Sequence, residues 1–265
     1  MAKYSTGSGG GGDSGDACVA PRMPLRCRSG ERGRSRYDCG VYPERRPTTG
    51  MSEPGSDAEN RITMYSDYVC PFCYLGRQSL EAYRDRREED LAIDWRPFDL
   101  RSHKRGPDGE IDHSVEDGKD EAYFEQVREN VAKLREQYGA EEMLDLEDLP
   151  EGVDSFDAQV ASWYVKSERP DRWFDFDTAV FEALWIDGRD IGDADVLADI
   201  AEGVGLDGEV IRDALAEEKH RDELRGEFTE AQRQGITGVP TFAYDGHAAR
   251  GAVPPEQLER LVEGV

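Results

Sequence analysis

Two cysteines separated by two residues stand where a β-prone run gives way to a helical pattern. The run 62–65 predicts a strand, and apolar residues recur at helical spacings from Cys70 onward. A cysteine at this junction would be the N-cap of the helix, where free backbone N–H groups and the helix dipole stabilise a thiolate. The pattern therefore predicts Cys70 as a nucleophile and Cys73, one turn deeper, as the thiol that resolves a mixed disulfide.

The two residues between the cysteines fit the same interpretation. Pro71 suits the first position of a helix because it has no N–H to leave unpaired, and we expect it to contact substrate together with Phe72. A zinc half-site and a pair of inert core thiols are the alternatives. Zinc needs about four nitrogen or sulfur ligands, and no histidine after residue 50 has paired ligand spacing, so we expect no metal.

A proline near the chain's C-terminus is the second candidate feature of the site. Pro240 begins a strand-like run, 239–244, although proline removes a donor from a β-ladder. A cis bond between Val239 and Pro240 would explain its position, whereas most bonds before proline are trans. Beside the cysteines, such a bond would present the main chain of Val239 to an extended substrate segment. We therefore predict that Val239 and Pro240 bind substrate.

The order of predicted elements defines a fold class. A strand, a helix and a second strand at 91–98 are followed by a long helical pattern to about residue 234. Asp245 and Gly246 then mark a hairpin between two short extended runs, and Pro254 precedes a final amphipathic helix. This order predicts an α/β thioredoxin-like fold over 61–265, interrupted by a large helical insertion at about 119–234.

The charge of the chain restricts its partners and surroundings. The 58 acidic and 33 basic residues give a formal net charge of −25, which argues against nucleic acid and anionic membranes as partners. We interpret this surface as an adaptation to high salt, with an ordinary acidic protein as the alternative. The sequence shows neither a membrane-spanning run nor the apolar core of a secretory signal, so we expect a cytoplasmic protein.

The first 50 residues differ from the remainder. They carry nine basic and five acidic residues, which leaves 24 basic and 53 acidic residues for the rest of the chain. They also hold a glycine run and three irregularly spaced cysteines. We interpret residues 1–60 as a disordered tail or as the product of a start assigned too early, the second favouring Met51 as the true start.

Three blocks of sequence together resemble a known family. They comprise 66–76, which contains both cysteines, 188–193, and 235–242, which contains Pro240. The chain resembles the DsbA-like family and, within it, FrnE-like dithiol-disulfide isomerases. The resemblance implies a thioredoxin fold with a helical insertion, Cys70 as the attacking thiolate, Cys73 as the resolving thiol and Pro240 as a cis-proline. Phe72 replaces the tryptophan that is commoner in the family, which leaves the redox potential open.

The expected activity is thiol-disulfide exchange with protein or small-molecule thiols and disulfides. It requires no cofactor beyond a redox-active disulfide between Cys70 and Cys73. The same superfamily contains kappa-class glutathione transferases and 2-hydroxychromene-2-carboxylate isomerases, which use a thiol cosubstrate and typically have serine at the position of Cys70. Because this chain has both thiols, we favour redox chemistry over that alternative. A third possibility is a thiol-bearing binding module, but such a module would need no cis-proline.

Overall fold

The computed structural model describes residues 60–106, 109–112, 114–116 and 118–264. The interpretation of the preceding segment as a tail or a misplaced start lies outside these residues. Four strands and eight α-helices follow one another along the described chain, and their bounds agree with the predicted order. They are β1 Arg61–Ser66, α1 Pro71–Arg84, β2 Ala92–Pro97, α2 Glu121–Tyr138, α3 Phe156–Glu168, α4 Pro170–Trp185, α5 Ala194–Gly203, α6 Gly208–Ala216, α7 Glu218–Arg233, β3 Thr241–Tyr244, β4 His247–Arg250 and α8 Pro255–Glu263.

The sheet has the strand order β2-β1-β3-β4. β1 pairs in parallel with β2 and antiparallel with β3. β3 and β4 form the predicted hairpin, whose turn residues Asp245 and Gly246 have φ values of 45° and 77°. Two successive positive φ values are what a tight two-residue hairpin requires, which explains the Asp-Gly pair.

The predicted helical insertion is the block α2–α7, which lies between β2 and β3 in the chain. Three of its six helices begin at an aspartate whose side chain satisfies a free N–H group. Asp120, Asp193 and Asp207 each accept a hydrogen bond from a backbone N–H in the first turn of α2, α5 and α6. The fold is therefore a thioredoxin fold with a helical insertion.

Two clusters of buried side chains form the core. The first core joins the cysteine end of α1 to Trp95 of β2 and to the apolar faces of α2–α7. The second core joins the remainder of α1 to β1, β3 and α8 through residues such as Leu80, Phe242 and Leu258. None of the described helices has the length and apolar composition needed to span a membrane.

Candidate active site

Both cysteines of the C-x-x-C motif lie at the start of α1, where the sequence predicted them. Cys70 is the N-cap residue, with an extended backbone, and its carbonyl accepts hydrogen bonds from the N–H groups of Cys73 (3.0 Å) and Tyr74 (3.3 Å). Pro71 is the first helical residue. Both cysteines are free thiols, and Cys70 retains 3% of its surface whereas Cys73 is fully buried. Cys70 is thus the thiol that a substrate can reach.

The environment of Cys73 favours its protonated form. Burial raises the pKa of the Cys73 thiol, and its hydrogen bond with Cys70 and the charge of Cys70 raise it further. Asp67 acts in both directions, since a hydrogen bond to its backbone lowers the pKa of the Cys73 thiol and its side-chain charge raises it. A thiol in this state is a poor nucleophile until a disulfide bond forms beside it, which suits a second step rather than a first.

Asp67 is a buried carboxylate three residues before Cys70. Its side chain accepts hydrogen bonds from the N–H groups of Val69 (3.3 Å) and Leu100 (2.8 Å) and from the Ser155 hydroxyl. Burial raises the pKa of Asp67 to about 6, although these hydrogen bonds oppose the rise. Sequence analysis assigned Asp67 no role, because an acid next to a strand end carries no local sign of its burial.

The loop before β3 brings the predicted proline beside the first cysteine. The peptide bond between Val239 and Pro240 is cis, and the Val239 carbonyl oxygen lies 3.7 Å from Cys70 Sγ. Gly76 of α1 permits this close approach, since a Cβ atom there would lie 3.0 Å from the Pro240 ring and 3.3 Å from Phe242. Two regions 169 residues apart in sequence therefore form one site.

Two surface cavities near Cys70 share the residues Phe72 and Val239. The larger cavity, of about 510 Å³, is bordered by Cys70, Pro71, Phe72 and Val239, and the smaller cavity, of about 470 Å³, by Phe72, Val239 and residues of α2. Phe72 and Val239 thus form the ridge between them. The larger cavity is largely apolar, and its further apolar lining residues are Val69, Leu100, Tyr123, Phe124, Val127, Leu146, Leu149, Pro150 and Trp185.

The structure places the four predicted substrate contacts in two different settings. Pro71, Phe72 and Val239 border the cavities, as expected for residues that contact substrate. Pro240 is buried against Gly76 and borders neither cavity, so its ring packs under α1 and the preceding residue supplies the exposed surface. That Pro240 binds substrate stays a prediction.

A polar network in the first core supports the segment that leads into Cys70. The Tyr68 hydroxyl donates to Asp177 (2.6 Å) on α4, and Asp177 also pairs with the guanidinium of Arg77 on α1. The indole N–H of Trp185 donates to the Tyr68 carbonyl (2.8 Å). These bonds tie the 66–70 segment and α1 to the helical insertion, and none of them was apparent from the sequence because the partners lie about a hundred residues apart.

Candidate metal ligands are not clustered in the described part of the chain. No group of three or more histidine, cysteine or carboxylate side chains lies there in a position to hold a metal ion. The two thiols therefore have no additional ligands among these residues that could complete a zinc site.

Comparisons with known proteins agree with this geometry. The chain is 30% identical over 204 residues to the uncharacterized protein YwbO of Bacillus subtilis, covering 76% of this chain and 94% of that protein. It is 26% identical over 184 residues to a 2-hydroxychromene-2-carboxylate isomerase of Sphingobium xenophagum, covering 69% and 88%. The crystal structure of a "probable DsbA oxidoreductase" from Streptomyces coelicolor matches with a TM-score of 0.62 and 25% identity, covering 77% of this chain and 90% of that one.

A family model supplies the last comparison. The model of the DSBA-like thioredoxin domain matches residues 61–263, which include both cysteines, the cis-proline and the whole helical insertion. The chain therefore belongs to the DSBA-like thioredoxin domain family.

Proposed function

We propose that the protein is a thiol-disulfide oxidoreductase or isomerase that acts through Cys70 and Cys73. The observation that carries the proposal is the unequal placement of the two thiols. Cys70 lies at the N-terminus of a 14-residue helix and borders a substrate-sized cavity, whereas Cys73 lies one turn deeper and is fully buried. Burial raises the pKa of the Cys73 thiol and disfavours a thiolate there, so the first attack falls to Cys70, the thiol that borders the cavity.

The exchange then proceeds in two steps. The Cys70 thiolate attacks one sulfur of a client disulfide, a mixed disulfide forms, and the other client sulfur leaves as a thiolate. Cys73 loses its proton and attacks Cys70, which releases the second client thiol and leaves a disulfide between Cys70 and Cys73. The client gains two electrons and the protein loses two. The reverse sequence oxidises a client dithiol.

The main chain of Val239 provides a surface for the client backbone. Its N–H donates to no described residue, and its carbonyl oxygen faces Cys70 Sγ at 3.7 Å. An extended client segment could pair with both groups as an added strand, which would hold its sulfur in line with Cys70.

The test is the capture of the mixed disulfide. In the reduced Cys73→Ala variant, Cys70 can still attack a client disulfide but nothing resolves the intermediate, so disulfide-linked adducts with a client that contains disulfide bonds should accumulate. Non-reducing gel electrophoresis and mass spectrometry would detect them and locate the linkage at Cys70. The adducts should disappear with Cys70→Ala or with reductant.

The assignment of roles is wrong if both single variants retain full exchange activity and neither forms adducts. Far-UV circular dichroism of each variant provides the control for folding. Because Cys73 is fully buried in the first core, a Cys73→Ser variant should be included with Cys73→Ala.

A second candidate function is isomerase or transferase chemistry with a thiol cosubstrate. It is favoured by the similarity to a 2-hydroxychromene-2-carboxylate isomerase and by the aromatic lining of the larger cavity. Such an enzyme would tolerate Cys73→Ala, since no resolving thiol enters its reaction. Loss of turnover in Cys73→Ala together with adduct formation therefore distinguishes the first proposal from the second.

A further inference from the structure

The walls of the two cavities differ in charge from the rest of the chain. Acidic residues outnumber basic ones by 58 to 33 in the sequence as a whole. Among the described residues that border the two cavities, basic residues outnumber acidic ones. Glu147 is the one acidic residue there, and four residues are lysine or arginine. These four are Arg101, Lys119 and Arg128 in the larger cavity and Lys133 in the smaller one.

Two of these cations, Lys119 and Lys133, are exposed and form no ion pair with a described residue. Arg101 is half-buried, and its guanidinium donates to the Val153 carbonyl. Arg128 pairs with Glu121 (2.6 Å) and lies 3.8 Å from Glu147, so its charge is largely offset. The Lys119 ammonium lies 5.1 Å from the centre of the Tyr123 ring. Two exposed positive charges thus remain at the cavities of a strongly acidic protein.

The two lysines are too far apart for one small molecule. Lys119 immediately precedes the N-cap of α2 and Lys133 lies in its last third, so at 1.5 Å per residue about 20 Å of helix separates them. An extended chain rises about 3.3 Å per residue and covers this distance with about six residues. Phe72 and Val239 border both cavities, and Cys70 borders the larger cavity beside them.

The rim of the larger cavity is also apolar to an unusual degree. Three large hydrophobic side chains are exposed in the described chain, and two of them, Tyr123 (43%) and Phe124 (37%), border this cavity. Their rings pack edge to face, with 5.5 Å between the ring centres. Exposed aromatic residues next to a cavity are typical of a surface that binds a partner.

We propose that the site binds an extended polypeptide that carries its reactive cysteine between acidic residues, with an apolar side chain beside that cysteine. The apolar side chain occupies the larger cavity against Tyr123 and Phe124, and carboxylates on either side of the cysteine interact with Lys119 and Lys133. This inference names the client of the exchange reaction and rests on the proposed function.

Activated peptides of one length test the preference. Each peptide carries a central cysteine linked as a mixed disulfide to 2-thiopyridine, next to a phenylalanine, and has glutamate, glutamine or lysine about three residues to either side. Attack by Cys70 forms a mixed disulfide with the peptide and releases 2-thiopyridone, or releases the peptide thiol and leaves the pyridyl group on Cys70; in both cases Cys73 completes the exchange. The rate is measured by stopped-flow absorbance with the reduced full-length protein.

The glutamate peptide should react about tenfold faster than the lysine peptide, and the ratio should fall toward one as salt screens the charges. Lys119→Gln and Lys133→Gln should each lower the ratio of the glutamate-peptide rate to the lysine-peptide rate severalfold. In the double variant, both peptides should react at about the rate of the glutamine peptide. Lys219→Gln is the matched control, because this lysine is also exposed but lies on α7 outside both cavities. It should leave the ratio unchanged.

Peptides with glutamate on one side only test whether the occupant spans both cavities. One of them should respond to Lys119→Gln and the other to Lys133→Gln. If both peptides respond equally to both substitutions, or if the pyridyl disulfide of 3-mercaptopropionate shows the full preference, a polypeptide spanning the cavities is excluded. Equal rates for the glutamate and lysine peptides in the wild type would overturn the charge preference. If the glutamine peptide does not react at all, the proposed exchange activity itself fails.

Discussion

The two cores of the molecule are stabilised by different kinds of contact. The second core, beneath α8, consists of apolar side chains, and its buried hydroxyl, Ser79, donates to the Val253 carbonyl at 2.6 Å. The first core, beside the cysteines, contains the buried carboxylates of Asp67 and Asp177 and the buried guanidinium of Arg77. Hydrophobic burial is non-directional, whereas these polar groups require partners in fixed positions. The thiols at the start of α1 also require fixed positions.

This difference predicts unequal sensitivity to the loss of one polar partner. Asp177→Ala should lower the free energy of unfolding by about 4 kcal/mol, because Arg77 would remain as a buried cation and the Tyr68 hydroxyl would lose its acceptor. Urea unfolding followed by circular dichroism would measure the change. Because Tyr68 lies two residues before Cys70, the rate of thiol alkylation should change as well.

The double variant Arg77→Met with Asp177→Leu provides the control. It removes both charges and should be less destabilised than the sum of the two single variants. A loss below about 1 kcal/mol for Asp177→Ala would contradict the view that the first core depends on this pair.

The second core should respond to a change in packing alone. Leu258 of α8 is fully buried there, and Leu258→Ala should lower the free energy of unfolding by about 3 kcal/mol through lost burial and a cavity. In native conditions the alkylation rate of Cys70 should stay at the wild-type value, since Leu258 belongs to the core remote from the cysteines. A changed rate in the folded variant would show that the two cores are coupled.

The features that local sequence determines were predictable. The cysteine at a strand–helix junction, the Asp-Gly turn and the Asp193 cap each depend on residues a few positions apart, so the strand and helix order followed from the pattern. The resemblance to the family supported the prediction that the two cysteines and Pro240 form one site.

The partners that the insertion supplies to α1 were not predictable. Arg77 meets Asp177 one hundred residues further along the chain, and nothing in the helical period of α4 marks Asp177 as buried rather than exposed. The same limit applies to α2, which has a single buried residue, Val131, and a pattern typical of a solvated helix. That helix borders the cysteine cavity because of tertiary packing, which its own sequence does not specify.

The smallest expected effect is the pH dependence that the buried carboxylate of Asp67 gives to the stability of the first core. Burial raises the pKa of Asp67 to about 6 from its ordinary 3.8, so the folded protein holds this proton more tightly than the unfolded chain. The stability that this proton contributes is complete at acidic pH and is lost as the pH rises through about 6. Asp67→Asn removes the titration and keeps an acceptor for the N–H groups of Val69 and Leu100. From pH 5 to pH 7.5 the wild type should lose about 1 kcal/mol of unfolding free energy relative to Asp67→Asn, measured by urea unfolding at fixed salt. A difference between the two proteins that does not change with pH would mean that Asp67 titrates as an ordinary carboxylate, and the first core would then not differ from the second core in its response to pH at this site.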